Sequence, residues 1–249
     1  MLVCRREHRR GPVFIAGRLG LNPSTVGRVL ARHQVPLLSH VDPITGLHLR
    51  SSRRPPNRYE HPVCGDLVHV DVKKLGRVPD GGGWRLHGRS EAVKGRGNGY
   101  DFLHVAVDDH SRLAYVEALP DERDPTCAGF LDRALTWFAS HQITVTALLT
   151  DNAKTYRIGR SWAATCTRWS LTRRFTRPGC PWTNGKAERF NRTLLTEFAY
   201  ARPWTSNTQR NRALQPWVAD YNTERAHTAL GGHPPITRAP DHNVSSHDT

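Results

Sequence analysis

The chain has 249 residues, of which 36 are Lys or Arg and 22 Asp or Glu, for a formal net charge of +14, and 37% are hydrophobic. That hydrophobic share suffices for a buried core and excludes a chain disordered throughout, while no run approaches the roughly 18 apolar residues of a membrane span. Met1 to Pro12 lacks the apolar stretch of a signal peptide, so a cytoplasmic protein is expected.

Residues 1–62 hold 11 Lys and Arg against 3 Asp and Glu, so +8 of the charge sits at the front. This is the footprint of a polyanion binder, and nucleic acid is the leading partner, although an arginine-rich composition alone would also make surfaces basic. Five scattered cysteines with no C-x-x-C pair argue against a disulfide framework.

Between Gly11 and Val35 two short helical patterns are split at Gly20. Gly20 suits the positive φ of a turn, Asn22 an N-cap and Pro23 the first helical position, while Val26, Val29 and Leu30 give the second helix an apolar face. This spacing predicts a helix-turn-helix with Ser24, Thr25, Arg28 and Arg32 directed at DNA, although a plain helical hairpin would show it too. Asp42 to Pro62, rich in Arg, Pro and Ser and including Arg53 and Arg54, reads as a basic linker along a phosphate backbone.

Leu67–Val72 reads as a buried strand, and residues 81–100 as a long glycine-rich loop. Leu103–Val107 and Leu113–Val116 form two more strands about a turn at Asp109-His110-Ser111. Pro125–His141 is a helix, Thr144–Thr150 a strand ending at Asp151, Asn184–Tyr200 a long helix and Thr208–Tyr221 another. Strands followed by helix, strand and helices imply an α/β fold that displays polar residues at strand ends.

Three carboxylates stand in unusual places: Asp71 inside an apolar strand, Asp151 at the end of another, and Glu188 on a helix among basic and amide residues. A carboxylate in a strand core is disfavoured by desolvation unless a cation neutralises it, so their convergence predicts a divalent metal site, with Mg²⁺ as the natural ion. Asn184, Glu188, Asn191 and Arg192 fall on one helical stripe, and Lys186 and Arg189 add positive charge. Taken alone, this helix would equally serve as a solvated face with an ion pair four residues apart.

These residues carry a resemblance. His69-Val70-Asp71-Val72-Lys73-Lys74-Leu75, Leu149-Thr150-Asp151-Asn152 and Thr183-Asn184-Gly185-Lys186-Ala187-Glu188-Arg189-Phe190-Asn191 resemble the three motifs of DDE transposases, in particular bacterial insertion-sequence transposases with a retroviral-integrase-type core. The Asp151–Glu188 interval of 36 intervening residues is close to the family's, and Val107–Arg112 and Tyr221–Gly231 also match. The resemblance, over roughly residues 11–240, implies an RNase H-like fold with a five-stranded mixed sheet flanked by helices. It implies that Asp71, Asp151 and Glu188 are catalytic ligands of two Mg²⁺ or Mn²⁺ ions. It further implies hydrolysis at element ends, strand transfer of the 3′-hydroxyl into target DNA, and a homodimer or higher oligomer on double-stranded DNA, with no membrane or small-molecule partner.

On this reading Asn152, Asn184 and Asn191 support the site, and Lys186, Arg189 and Arg192 contact DNA phosphates. Asp108 and Asp109 read as turn and sheet-end residues, and His69 and His104 as histidines that are packed or stand behind the ligands rather than as ligands themselves. The expected organisation is a helix-turn-helix segment over residues 1–40, a linker over 41–62, the catalytic core over 63–240 and a tail over 241–249. Two departures stand out: Ala153 replaces the family's glycine, and Trp182 replaces a polar residue. Relatives also carry an additional amino-terminal helix-turn-helix, so the chain reads as truncated. The alternative function is therefore a catalytically inactive DNA-binding remnant.

Overall fold

The computed structural model describes residues 1–41, 60–88, 99–177 and 184–240. It opens with three helices, α1 (Leu2–His8), α2 (Pro12–Leu19) and α3 (Pro23–Arg32). Gly20 ends α2 at φ +63°, its N–H bonded to the Ala16 carbonyl, and the Asn22 side chain accepts from the Ser24 N–H at 2.9 Å to start α3. Ile15, Ala16, Val26 and Leu30 form a small core on which Met1, Leu2 and Cys4 pack. Helix α1 was not expected, because Arg5, Arg6, His8 and Arg9 mask its few apolar contacts.

The main body is a five-stranded mixed sheet in the order β3-β2-β1-β4-β5, the RNase H-like arrangement that the resemblance implies. Its strands are β1 (Val68–Gly76), β2 (Tyr100–Asp108), β3 (Ala114–Leu119), β4 (Ala147–Thr150) and β5 (Thr172–Phe175). The first three pair antiparallel, while β1–β4 and β4–β5 are parallel. Because side chains alternate along a strand, β1 sends Val68, Val70 and Val72 to one face and Leu75 to the other. The first face packs on α5 (Asp124–Ser140), α6 (Lys154–Ile158) and α7 (Arg160–Arg168) through Phe130, Leu131, Phe138, Tyr156 and Trp162. The second packs on α8 (Gly185–Leu194) and α10 (Leu214–Thr223) through Phe190, Leu194, Val218 and Tyr221.

Several expectations are corrected. The loop of 81–100 contains a short helix, α4 (Trp84–His87), and residues 89–98 lie outside the described residues. The helix expected to reach Tyr200 ends at Leu194 and continues as a π-helical turn over Leu195–Ala199. The helix expected over 208–221 is two, α9 (Asn207–Arg212) and α10, broken at Ala213. Strand β5 gave no apolar alternation, since Arg173 and Arg174 are exposed on a sheet edge that charge protects from further pairing. Gly65 is required by close approach: at φ +85° a β-carbon would run into the Thr144 carbonyl.

Candidate active site

Asp71 lies on the α8 side of β1, partly buried. The parallel pairing of Val68 with Leu148 and His69 with Leu149, carried two residues further, sets Asp71 beside Asp151 just past the end of β4. Glu188 stands in the first turn of α8. Burial first, and then the charges of Asp151 and Glu188, push the Asp71 carboxyl up to about 6, against the Val72 N–H and Lys73, which favour its ionised form. Asp71 and Asp151 thus come from adjacent strands and Glu188 from the helix packed on the same face of β1, and carboxylate oxygens are the hard donors that Mg²⁺ or Mn²⁺ takes. Among the described residues no three His, Cys, Asp or Glu side chains converge on one point. Asp151 and Glu188 are both exposed, so closing round a cation requires their side chains to turn toward Asp71.

The neighbours of these carboxylates are fixed by hydrogen bonds. Asn191 Nδ2 donates to Asp71 Oδ2 at 2.7 Å, and Asn184 Nδ2 donates to the Val70 carbonyl at 3.1 Å. Both asparagines are buried whereas Glu188 and Arg192 are exposed, so the predicted single stripe divides: its amides face the sheet and its charged members face solvent. Asp151 Oδ1 accepts from the Ala153 N–H at 2.9 Å. Ala153 sits at φ −57°, open to any residue, so the missing glycine leaves the backbone unstrained. Asn152 Nδ2 donates to the Thr176 carbonyl at 2.8 Å, tying the Asp151 turn to the end of β5.

Behind the carboxylates runs a second network. His69 meets Asn184 Oδ1 through Nδ1 at 2.9 Å and Asp109 Oδ1 through Nε2 at 2.8 Å, and Lys186 Nζ lies 3.0 Å from the same Asp109 oxygen. The His61 N–H donates to Asp109 Oδ2 at 2.6 Å. Burial alone would raise the Asp109 carboxyl, but the bonds from His69, His61 and Lys186 outweigh it and hold the group well below the usual carboxylate range. Asp108 accepts from the Gly65 N–H and from Ser111 N–H and Oγ, at 2.8, 2.7 and 2.7 Å. Both aspartates are thus turn and sheet-end residues, as expected, but Asp109 has a further part in fastening the start of α8. The signal for this was a second acid after a strand together with the lysine of Asn184-Gly185-Lys186. Lys186, expected on DNA, forms an ion pair with Asp109.

Ser24, Thr25, Arg28 and Arg32 are exposed on α3, and Arg189 and Arg192 on α8. Arg53, Arg54 and Trp182 lie outside the described residues. His104 is buried against the ring of Phe130 and bonds the Asp121 carbonyl through Nε2 at 2.8 Å, so it is a packed histidine. Among the described residues no helix is long and apolar enough to cross a membrane.

Two sequence profiles, each described as integrase core domain, match residues 59–181 and 170–235. Among solved structures, the simian T-cell lymphotropic virus intasome in complex with the PP2A regulatory subunit B56 gamma is similar with a TM-score of 0.56 and 14% identity, over 92% of this chain and 74% of that one. The HTLV-2 integrase catalytic core domain in complex with magnesium, in its trimeric form, is similar with a TM-score of 0.51 and 14% identity, over 72% of this chain and 98% of that one.

Proposed function

We propose that this chain is a DDE-type DNA transposase, a reading supported by the two integrase core matches over residues 59–181 and 170–235. It hydrolyses phosphodiesters at the ends of a bacterial insertion sequence and joins the freed 3′-hydroxyl to target DNA. The observation that supports this reading is a partly buried Asp71 on β1 set by strand register beside Asp151 at the end of β4, with Glu188 in the first turn of the helix packed on the same face. Two Mg²⁺ or Mn²⁺ ions held by these three side chains would supply activation of the attacking oxygen and charge stabilisation of the leaving one.

The chain's own residues position and bind. Asn191 keeps Asp71 turned toward α8, Asn184 and the His69–Asp109–Lys186 network fix where that helix begins, and Asn152 holds the Asp151 turn. Arg189 and Arg192 offer exposed guanidiniums to phosphates beside Glu188. The amino-terminal helices form a separate duplex-binding segment through Ser24, Thr25, Arg28 and Arg32, continued by Arg53 and Arg54 of the linker. Transfer in line needs no covalent protein intermediate, so no nucleophilic side chain is required. Two element ends must be cut together, so the working form is a dimer or larger assembly on DNA.

A second reading, a DNA-binding remnant without catalysis, is favoured by the lack of three converged ligands among the described residues. The deciding experiment is strand transfer by the purified chain at low, stated salt on oligonucleotides bearing the repeats that flank its gene. Mn²⁺-dependent joining that disappears in Asp151→Asn supports the transposase. Binding without cleavage or joining, identical in both proteins, selects the remnant.

A further inference from the structure

The segment from Tyr221 to Gly231 takes no part in the carboxylate site, and the fold uses it to seat the amino-terminal helices on the main body. Arg225 donates twice to Glu197, at 2.7 and 2.8 Å, and Arg10, from the connection between α1 and α2, pairs with Glu197 Oε1. Side-chain exposures of 9% for Glu197 and 17% for each arginine put all three in a junction that solvent barely reaches. Two close approaches flank it. A β-carbon placed on Gly17 of α2 would stand 3.6 Å from the Ala226 Cβ, and one placed on Gly232 would stand 3.5 Å from Val13 Cγ1. The loop offering these surfaces closes on itself: the Gly232 N–H donates to the His227 carbonyl at 2.8 Å, and the His227 N–H to the His233 carbonyl at 3.2 Å.

Each side of the junction is anchored in its own unit. Arg5 donates to the Arg10 and Pro36 carbonyls, both at 2.6 Å, so the backbone that carries Arg10 is bound into the three-helix unit. Glu197 stands in the π-helical turn that continues α8, nine residues after Glu188 and about 13 Å along the axis at about 1.5 Å per residue. The amino-terminal unit is therefore fastened to the same run of helix that bears one of the three candidate ligands. Removing one partner of an enclosed ion pair strands the other, so the junction depends on Glu197 more than an exposed pair would. Asp220 on α10 adds attraction for Arg10 and Arg225, against the repulsion between them. Docking leaves the DNA-facing positions open, since Ser24, Thr25, Arg28 and Arg32 on α3 stay exposed, as do Arg189 and Arg192 beside Glu188. A contact that covers none of these surfaces sets a spacing between them and does not block them.

We propose that Glu197, through Arg10, is a positioning residue that holds the amino-terminal helices on the catalytic core. The chain then engages a duplex as one rigid unit, with a set interval between the sequence bound by α3 and the phosphodiester at the carboxylates. Docking stands on the contacts alone, whereas the assignment of that interval to a cut rests on the transposase reading.

The test uses the full chain carrying Gly17→Cys and Ala226→Cys together, because their β-carbons fall within the roughly 3.5–4.5 Å span of a disulfide. Mild oxidation should join positions 17 and 226, read by mass spectrometry of the linked peptides. Adding Arg10→Met, which leaves Arg225 on Glu197, should slow that joining about tenfold through the loss of one charge-assisted bond. On duplexes bearing the flanking repeats, Arg10→Met should keep the affinity and the hydroxyl-radical footprint of α3. It should blur the footprint of the core and scatter the cut over neighbouring phosphodiesters. The disulfide should restore one sharp footprint and one cut, and reduction should undo both, a reversal that general destabilisation does not produce. Glu197→Gln should act in the same direction, and Arg10→Met carries every measurement should that variant fail to fold. A double-cysteine chain that forms no such link overturns the docking. A linked chain that loses duplex binding or cutting until reduced overturns the positioning role and makes the contact a block. An unchanged footprint and cut in Arg10→Met overturn the part given to Arg10 and Glu197. Sharp footprints restored by the disulfide, with no cutting by any chain, sink the transposase reading alone.

Discussion

Replacing Lys186 by Met removes one of three donors to the buried carboxylate of Asp109 and leaves His69 Nε2 at 2.8 Å and the His61 N–H at 2.6 Å. A hydrogen bond to a charged group contributes about 1.5–3 kcal/mol, and stranding a buried ion raises the loss to about 3–5 kcal/mol. The Lys186 side chain is 19% exposed and the remaining donors stay in place, so the lower range applies and a loss of about 2 kcal/mol is expected. For a core of this size that corresponds to a fall in Tm of about 4–8 °C, measurable by calorimetry or as a shifted urea midpoint. Because the folded Asp109 carboxyl is depressed, its contribution is complete above the unfolded value near 4 and is lost as pH falls through the lower folded value. The two proteins should therefore converge in stability below about pH 4, for as long as the fold survives. A change under about 0.5 kcal/mol at pH 7, or a gap that widens in acid, would refute the reasoning.

Other substitutions test other joints of the account. Asn191→Ala deletes the bond to Asp71 and should lower strand transfer about tenfold with duplex affinity unchanged, as read by single-turnover joining and filter binding. Gly65→Ala drives a β-carbon into the Thr144 carbonyl at φ +85° and should cost about 3 kcal/mol, seen as a lowered urea midpoint. Asn22→Ala removes the cap of α3 at a cost of about 1 kcal/mol to that small unit; hydrogen exchange should quicken across α3 and leave the sheet alone.

Where a residue's role follows from its neighbours in sequence, the structure agrees with the expectation. Gly20, Asn22 and Pro23 announce the turn and the start of α3, and the apolar alternation through Val68, Val70 and Val72 announces β1. Where the role depends on partners brought from afar, sequence was silent or misleading. Strand β5 is held by β4 rather than by its own propensity, and Arg173 and Arg174 hide it. Asn184 and Asn191 read as one stripe with Glu188, because helical spacing cannot tell the edge of a buried face from its exposed margin. The pairing of Lys186 with Asp109 was not legible because Asp109 lies 77 positions earlier in the chain. Asp71, Asp151 and Glu188 stood out since carboxylates in a strand, at a strand end and among basic residues are individually hard to explain.

The most direct test of the central claim is to count Mn²⁺ ions bound to the chain in complex with its element-end DNA, by electron paramagnetic resonance of the free ion. Two ions per chain that fall away in Asp71→Asn, Asp151→Asn and Glu188→Gln, with DNA binding retained, are what the carboxylate site predicts. Mn²⁺ binding that is absent from the unaltered protein, or undiminished in all three variants, would contradict it.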